Sequence, residues 1–269
     1  MMQTKQISIL GCGWLGLPLA VFLSQKGYTI KGSTTSAEKT EILNEVGIRP
    51  FLIQLNAEGV VGDIENFLKG SRVLIINVPP GMRGDSPVPF SSKLENLINH
   101  IINSEIEKVL FVSSTSVFGN FQGEVDENTK PLPDTISGKD LLMSEQLLMS
   151  RIEFNTAIVR FGGLIGEDRH PVYYLAGREN LKGGNAPVNL IHQKDCIGII
   201  YEIINQKVWG KIYHGVFPEH PLKKEYYLQK AKSLNVQPPA FLEEDISGFK
   251  TVVSKTTTEI LHYEFQKSI

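Results

Sequence analysis

The stretch Ile7–Ala20, "ISILGCGWLGLPLA", decides the fold. It opens on a short run rich in β-branched residues, Gln6–Leu10, which reads as a strand. Gly11, Gly13 and Gly16 then stand at G-x-G-x-x-G spacing, and the residues after them suit a helix from about Trp14 to Gln25. In such a turn Gly11 permits the tight bend and Gly13 lets a pyrophosphate approach the backbone. Gly16 lets the helix pack closely on the strand. The amides of Trp14 and Leu15 then point at phosphate, helped by the positive end of the helix. The spacing alone is a weak signal. Directly after a strand and opening a helix, it stands in its confirming context and implies dinucleotide binding.

Working outward, the strand–helix alternation continues. Tyr28–Ser33, Pro50–Leu55, Arg72–Asn77 and Lys108–Ser113 read as further strands, and "NTAIVRFG" (Asn155–Gly162) as a sixth. Helical patterns fall at Ala37–Val46, Val61–Leu68, Phe90–Asn103 and Ser137–Arg151. Short β-branched runs separated by helices predict an α/β fold with a doubly wound parallel sheet. After Gly162 the rhythm loosens, then resumes with a helix near Asp195–Gln206 and a strand at Lys211–Val216. The remainder, from Glu219, fits a smaller cap beside the carboxyl edge of the sheet, where ligands of such folds bind.

The choice of dinucleotide depends on the end of the second strand. An NAD site usually places Asp or Glu there, accepting from the ribose hydroxyls. Here the stretch is "KGSTTSAEK", with hydroxyls at Ser33, Thr34, Thr35 and Ser36, cations at Lys31 and Lys39, and no carboxylate before Glu38. That pattern favours the 2′-phosphate of NADP over NAD. It is equally the pattern of a polar loop in which Ser36 caps the next helix.

Composition sets bounds on the rest. The chain has 269 residues, 41% hydrophobic and 21% charged, enough for one large core with a smaller companion. A net charge of -2 gives no reason to expect nucleic-acid binding. The two cysteines, Cys12 and Cys196, form no metal or redox spacing, which suits a reducing, cytoplasmic setting. Ile7–Leu23 is uncharged and follows Lys5, the outline of a signal peptide, but its glycines and Pro18 fit strand, turn and helix better. No metal site and no membrane span are expected.

Five segments, taken together, resemble one family. The glycine motif, "INVPPG" (Ile76–Gly81), "FVSSTSVFG" (Phe111–Gly119), "VRFGGLIGEDR" (Val159–Arg169) and "VNLIHQKDC" (Val188–Cys196) occur in the order seen in short-chain dehydrogenase/reductases. The chain looks most like the extended and atypical branch that includes NAD-dependent epimerases and dehydratases of nucleotide sugars. The resemblance implies a Rossmann domain over residues 1–162, completed by 190–216, with a substrate-side cap from 163–189 and 217–269. It also implies a small-molecule substrate, with a nucleotide sugar as the family's class, and paired helices that make homodimers common. Ser113 would lie close to the cofactor, and Ser114 matches the residue that polarises a substrate carbonyl or hydroxyl. A strand end capping itself through side-chain bonds accounts for the same serines. Asn77, Val78, Pro79 and Pro80 would line the diphosphate and ribose. Thr115 and Ser116 stand where dehydratases place an acid pair, which argues against a dehydratase of the usual type.

The same resemblance exposes a departure. The family carries a tyrosine and, four residues on, a lysine on one face of the helix that here reads "ISGKDLLMSEQLL" (Ile136–Leu148). Taking Glu145 as the glutamate that often follows the lysine puts Leu141 at the lysine position and Ser137 at the tyrosine position. Lys139 is no substitute, because two residues along a helix turn a side chain by about 200°. The helix is then expected to be a surface scaffold, with Lys139, Asp140, Ser144 and Gln146 outward, Glu145 left for surface or substrate contacts, and Asp134 or Ser137 as its cap. Proton transfer would come from elsewhere, with Tyr173 or Tyr174 in "RHPVYY" reaching the pocket or lying buried in the cap. Otherwise the protein senses NAD(P) without turnover, or catalyses a step that does not need the pair. Asn56 approaches adenine or forms a turn. Arg160, Arg169 and Asn189 suit a phosphorylated or carboxylated substrate, while Asp195 caps a helix with His192 beneath it.

Overall fold

The computed structural model describes residues 5–78, 88–243 and 248–269. Strand β1 (Gln6–Leu10) leads to α1 (Gly16–Gln25), β2 (Thr29–Thr34), α2 (Glu38–Glu45) and β3 (Arg49–Leu52). A hairpin of β4 (Gln54–Leu55) and β5 (Val60–Val61) precedes α3 (Ile64–Leu68), β6 (Val73–Ile76), α4 (Phe90–Ile102) and β7 (Lys108–Ser114). Then come β8 (Gly123–Val125), α5 (Ile136–Met149), β9 (Asn155–Phe161), β10 (Gly163–Ile165) and α6 (Val172–Leu175). They are followed by β11 (Leu190–His192), α7 (Gln193–Asn205), β12 (Ile212–Gly215), α8 (Lys223–Ser233), β13 (Lys250–Val252) and α9 (Lys255–Glu259).

Seven strands form the parallel sheet expected from the alternation, in the order β12-β9-β7-β6-β1-β2-β3. Its middle strands are buried on both faces: Ile7, Ile9, Leu74, Ile75, Ile76, Val109, Leu110 and Phe111 are all sealed from water. That explains why they read as unbroken apolar runs. Ser8 is the polar exception. It is fully buried, and its hydroxyl donates to Phe67 O (2.7 Å). Helix α4 shows the complementary pattern, burying Leu94, Leu97, Ile98 and Ile101 as one stripe at helical spacing.

Two elements differ from the sequence expectation for local reasons. The third strand leaves the sheet after Leu52, and Gln54–Leu55 pair antiparallel with Val60–Val61 as a separate hairpin. Asn56 N donates to Gly59 O (2.8 Å) across its turn, so Asn56 is placed as a turn residue. The following helix begins at Ile64 and not Val61, because Asp63 caps it by accepting from Asn66 N (3.3 Å).

The chain divides into two compact units. One comprises 1–113, 139–159 and 200–212, the other 114–138, 160–199 and 213–269. Within the first, α5 turns Lys139 and Gln146 outward as expected, but not its other polar residues. Asp140, Ser144 and Glu145 are buried at 5%, 0% and 2% exposure, while Met143 stands 58% exposed. Asp140 is buried because it caps another helix: its carboxylate accepts from Phe90 N (2.7 Å) and Ser91 N (3.0 Å) at the start of α4. Ser144 turns its hydroxyl back to Asp140 O (2.9 Å).

In the second unit, β8 pairs with β13 and β10 with β11, each in parallel register. The cap of α5 is Thr135, whose Oγ1 accepts from Gly138 N (3.0 Å), and neither Asp134 nor Ser137. Asp195 lies inside the first turn of α7 and does not cap it. Its fully buried carboxylate accepts from Tyr263 OH (2.9 Å), Gln266 N (2.7 Å) and Lys267 N (3.2 Å), tying the C-terminal residues to the helix. His192 does the capping, Nδ1 accepting from Lys194 N (3.1 Å). A separate apolar cluster gathers Val172, Val188, Leu190, Tyr226, Tyr227 and Ala231.

Candidate functional site

Strand order reverses between β1 and β6. From β1 the chain runs outward through β2 to β3, then returns to β6 and proceeds the other way through β7. In an open parallel sheet the crevice at the carboxyl ends of two such strands is the ligand position. Leu10 and Ile76 close the two strands in register, and Asn77 N donates to Leu10 O (2.8 Å) just beyond them.

The glycine turn sits in that crevice, and its three glycines have different reasons to be there. Gly11 has φ +101°, and a Cβ on it would stand 2.4 Å from Asn77 O. A Cβ on Gly16 would stand 2.1 Å from Gly11 O. The protein's own packing therefore demands both. A Cβ on Gly13 meets nothing within 4 Å among the described residues beyond its chain neighbours, so their packing makes no demand for glycine at that position. The turn is braced from two sides: Ser33 Oγ accepts from Gly11 N (3.0 Å) and Asn77 Nδ2 donates to Gly11 O (3.0 Å). Leu17 N returns to Gly13 O (3.0 Å), so the first turn of α1 begins at the open glycine. Trp14 and Leu15 form that turn, with Leu15 buried at 4%.

A cleft of ≈ 320 Å³ opens from the turn. It is lined by Leu10–Gly13 at the end of β1, Ser33–Thr35 at the end of β2 with Lys39 on α2, and Ile53–Leu55 after β3. Asn77 and Val78 after β6, with Phe90 and Lys93 on α4, close it. The sequence reading thus brings Gly11, Gly13, Ser33, Thr34, Thr35, Asn77 and Val78 to one cleft. Asn56 belongs to the turn next to Leu55, and Pro79 lies outside the described residues.

The side chains fix what the cleft offers. No Asp or Glu lines it among the described residues, while Lys39 and Lys93 do. Thr34 Oγ1 accepts from Ser36 N (3.1 Å) and Thr35 is exposed, so Thr35 is the freer hydroxyl. Lys31 is corrected from its expected role: its ammonium is buried and donates to Asn66 O and Lys69 O (both 2.6 Å). Burial lowers its proton affinity, with the charges of Arg49 and Lys69 adding to the effect. Cys12 also lines the cleft, but burial pushes its thiol up to about 12, so it is no nucleophile at neutral pH. Phe90 and Lys93 were not anticipated. Their signal was the i, i+3 spacing at the head of the helix that follows β6.

The residues expected to serve the chemistry and the substrate have the following surroundings. Ser113 Oγ donates to Glu145 Oε1 (2.6 Å), both groups buried, so Glu145 braces the end of β7 and is not a surface contact. Ser114 Oγ accepts from Ser116 N (3.1 Å), capping the 3₁₀ turn Thr115–Val117. Tyr173 and Tyr174 are 49% and 71% exposed, so neither is a buried cap residue. Asn189 is spent on β13, with Nδ2 donating to Lys250 O and Oδ1 accepting from Val252 N, each at 2.8 Å. Arg160, also expected to meet substrate, is 2% exposed and lies over the Phe118 ring at 5.1 Å.

No family model matches the sequence. Protein YeeZ of Escherichia coli (strain K12) is 33% identical over 265 residues, covering 97% of this chain and 96% of YeeZ. Two solved structures share the architecture. One is a conserved protein of unknown function from Silicibacter pomeroyi, with TM-score 0.79 and 21% identity over 97% of this chain and 94% of that one. The other is UDP-glucuronic acid 4-epimerase from Bacillus cereus in complex with UDP-glucuronic acid and NAD, with TM-score 0.78 and 16% identity over 98% and 95%. With its glycine turn at the switch point of a seven-stranded parallel sheet, the chain belongs to the family of YeeZ and has the fold of the epimerase-type short-chain dehydrogenase/reductases.

Proposed function

We propose that the protein is an NADP-dependent oxidoreductase of the epimerase/dehydratase type. On this reading it transfers hydride to or from a hydroxyl- or carbonyl-bearing small molecule without the usual tyrosine/lysine pair. The observation that carries the proposal is the contrast among the three glycines. Gly11 and Gly16 are demanded by internal packing, whereas a Cβ on Gly13, at a helix N-terminus, would meet no described residue beyond its chain neighbours within 4 Å, and bare backbone there suits a ligand that takes the room.

When bound, the nicotinamide supplies or accepts the hydride. The chain's own residues hold and orient it. The first turn of α1 takes the pyrophosphate, with Ser33 and Asn77 keeping the turn in shape. Thr35 and Lys39 stand ready for a 2′-phosphate, and the lack of a lining carboxylate among the described residues favours NADP over NAD. Ser114 would polarise the substrate oxygen. The substrate class follows the Bacillus cereus epimerase, whose structure holds a nucleotide sugar, UDP-glucuronic acid.

Selectivity has a direct test. Thr35→Asp is expected to weaken NADPH relative to NADH by about ten- to a hundredfold, since a new carboxylate beside the 2′-phosphate repels it. Titration of both reduced dinucleotides by nicotinamide fluorescence measures the ratio, and tighter NADH binding by the unaltered protein would overturn the NADP assignment.

A second reading has its own support. Helix α5 contains no tyrosine, and Leu141, at the position of the family's lysine, is buried at 4%. These facts favour a dinucleotide-sensing protein of the same fold. Following NADPH absorbance with a panel of UDP-sugars separates the two. Substrate-dependent loss of absorbance supports the enzyme, lowered at least tenfold by Ser114→Ala on mutational precedent for removed polarising groups. Tight binding with unchanged absorbance across the panel supports the sensor.

A further inference from the structure

The helix α5 brings no lysine to the end of β7 by the family's route, yet an ammonium arrives there by another. Within the second unit, Lys250 on β13 extends its Nζ to the turn that follows Ser114. It donates to Thr115 O at 2.9 Å and to Phe118 O. These two carbonyls bracket the 3₁₀ turn Thr115–Val117. We propose that Lys250 is a positioning residue of the site, clamping the turn whose leading residue is Ser114. The proposal rests on the functional reading above.

The clamp is built at both ends. On the turn, Ser114 Oγ accepts from Ser116 N (3.1 Å) and Phe118 N donates to Thr115 O (3.1 Å), so moving the turn moves the hydroxyl of Ser114. Its far side is pressed by Gly138, where a Cβ would stand 2.2 Å from Ser116 O. On the other end, the Lys250 peptide is gripped by Asn189 through two 2.8 Å bonds, to Lys250 O and from Val252 N. Parallel pairing sets Lys250 opposite Gly123. The lysine is therefore aimed by its backbone.

An ammonium is a costly choice for this task, because it gives up hydration that carbonyls alone repay only in part. Burial lowers the proton affinity of Lys250, with Asp134 opposing the fall and Lys223 adding to it. A charge-assisted bond is shorter and roughly twice as strong as a neutral one, which suits a turn that must keep one shape.

The test compares Lys250→Met, Lys250→Gln and Lys250→Arg in the full chain. In hydrogen exchange, the Met and Gln variants should expose the amides of Ser116 and Phe118 at least tenfold faster, leave Val109–Phe111 unchanged, and be rescued largely by Arg. Unchanged exchange in the turn, or an equal rise along the whole chain, overturns the clamp. In NADPH turnover, Lys250→Met should lower kcat at least tenfold with NADPH affinity kept. Combined with Ser114→Ala it should fall little below Ser114→Ala alone, as expected of groups acting as one unit. Multiplying losses overturn the positioning role. A wild type inert across the UDP-sugar panel refutes the proposed activity instead, and leaves the exchange comparison to decide the clamp.

Discussion

Gly13→Asp is expected to abolish NADPH binding while leaving the fold intact. The Cβ of the new side chain enters space that no described residue beyond its chain neighbours occupies within 4 Å, so their packing does not resist it. Its carboxylate then stands at the mouth of α1, in the room a pyrophosphate needs, and opposes it both sterically and by charge. At an effective dielectric near 20, two like charges 4 Å apart cost about 4 kcal/mol, which corresponds to about a thousandfold in affinity. Equilibrium titration of NADPH, paired with thermal melts, checks both halves. Wild-type affinity in a folded variant would remove the glycine turn from the site. The neighbouring glycines should behave in the opposite way. Gly16→Ala places a Cβ 2.1 Å from Gly11 O, so it should lower the melting temperature before it changes any binding measurement.

Asp195→Ala is the largest expected loss of stability. Its carboxylate is fully buried and receives three donors, from Tyr263, Gln266 and Lys267. Truncation leaves all three without their acceptor, and each unsatisfied buried donor costs about 1–3 kcal/mol. A total of about 4 kcal/mol is expected after partial rehydration of the two backbone groups. Denaturant unfolding measures it. Limited proteolysis should show first cleavage within 260–269, since these residues lose their tie to α7. Asp195→Asn, which keeps an acceptor oxygen, should recover part of the loss. Equal stability of the Ala variant and the wild type would mean the tail is held by its apolar contacts alone.

Much of the fold was legible because its signals are local. The G-x-G-x-x-G turn, the β-branched runs and the amphipathic stripe of α4 each repeat with a period that sequence exposes directly. That Gly11, Gly13, Ser33, Thr35, Asn77 and Val78 gather at one cleft was legible for the same reason, since all stand at or just past the carboxyl ends of strands. What failed to show was long-range polar bonding. Asp140 looked like an exposed helix residue, but its partners are amides about fifty positions earlier, at Phe90 and Ser91. Glu145 reaches back to Ser113, and Asp195 reaches forward to the C-terminal residues. Lys31 was grouped with the hydroxyls beside it because neighbours in sequence share a loop. Strand alternation sends its side chain to the carbonyls of Asn66 and Lys69 instead.

The burial of Leu141 also limits how this chain could be changed. Changing Ser137 to tyrosine and Leu141 to lysine would copy the family's pair in writing only. The lysine would replace an apolar side chain that is 4% exposed, one turn before a glutamate already committed to Ser113. An ammonium forced into that place costs several kcal/mol unless the surroundings open to water. The helix is committed to bracing, with Asp140 holding the start of α4 and Glu145 the end of β7. Installing such a pair would have to begin with the neighbours that lean on the helix, not with the two residues themselves.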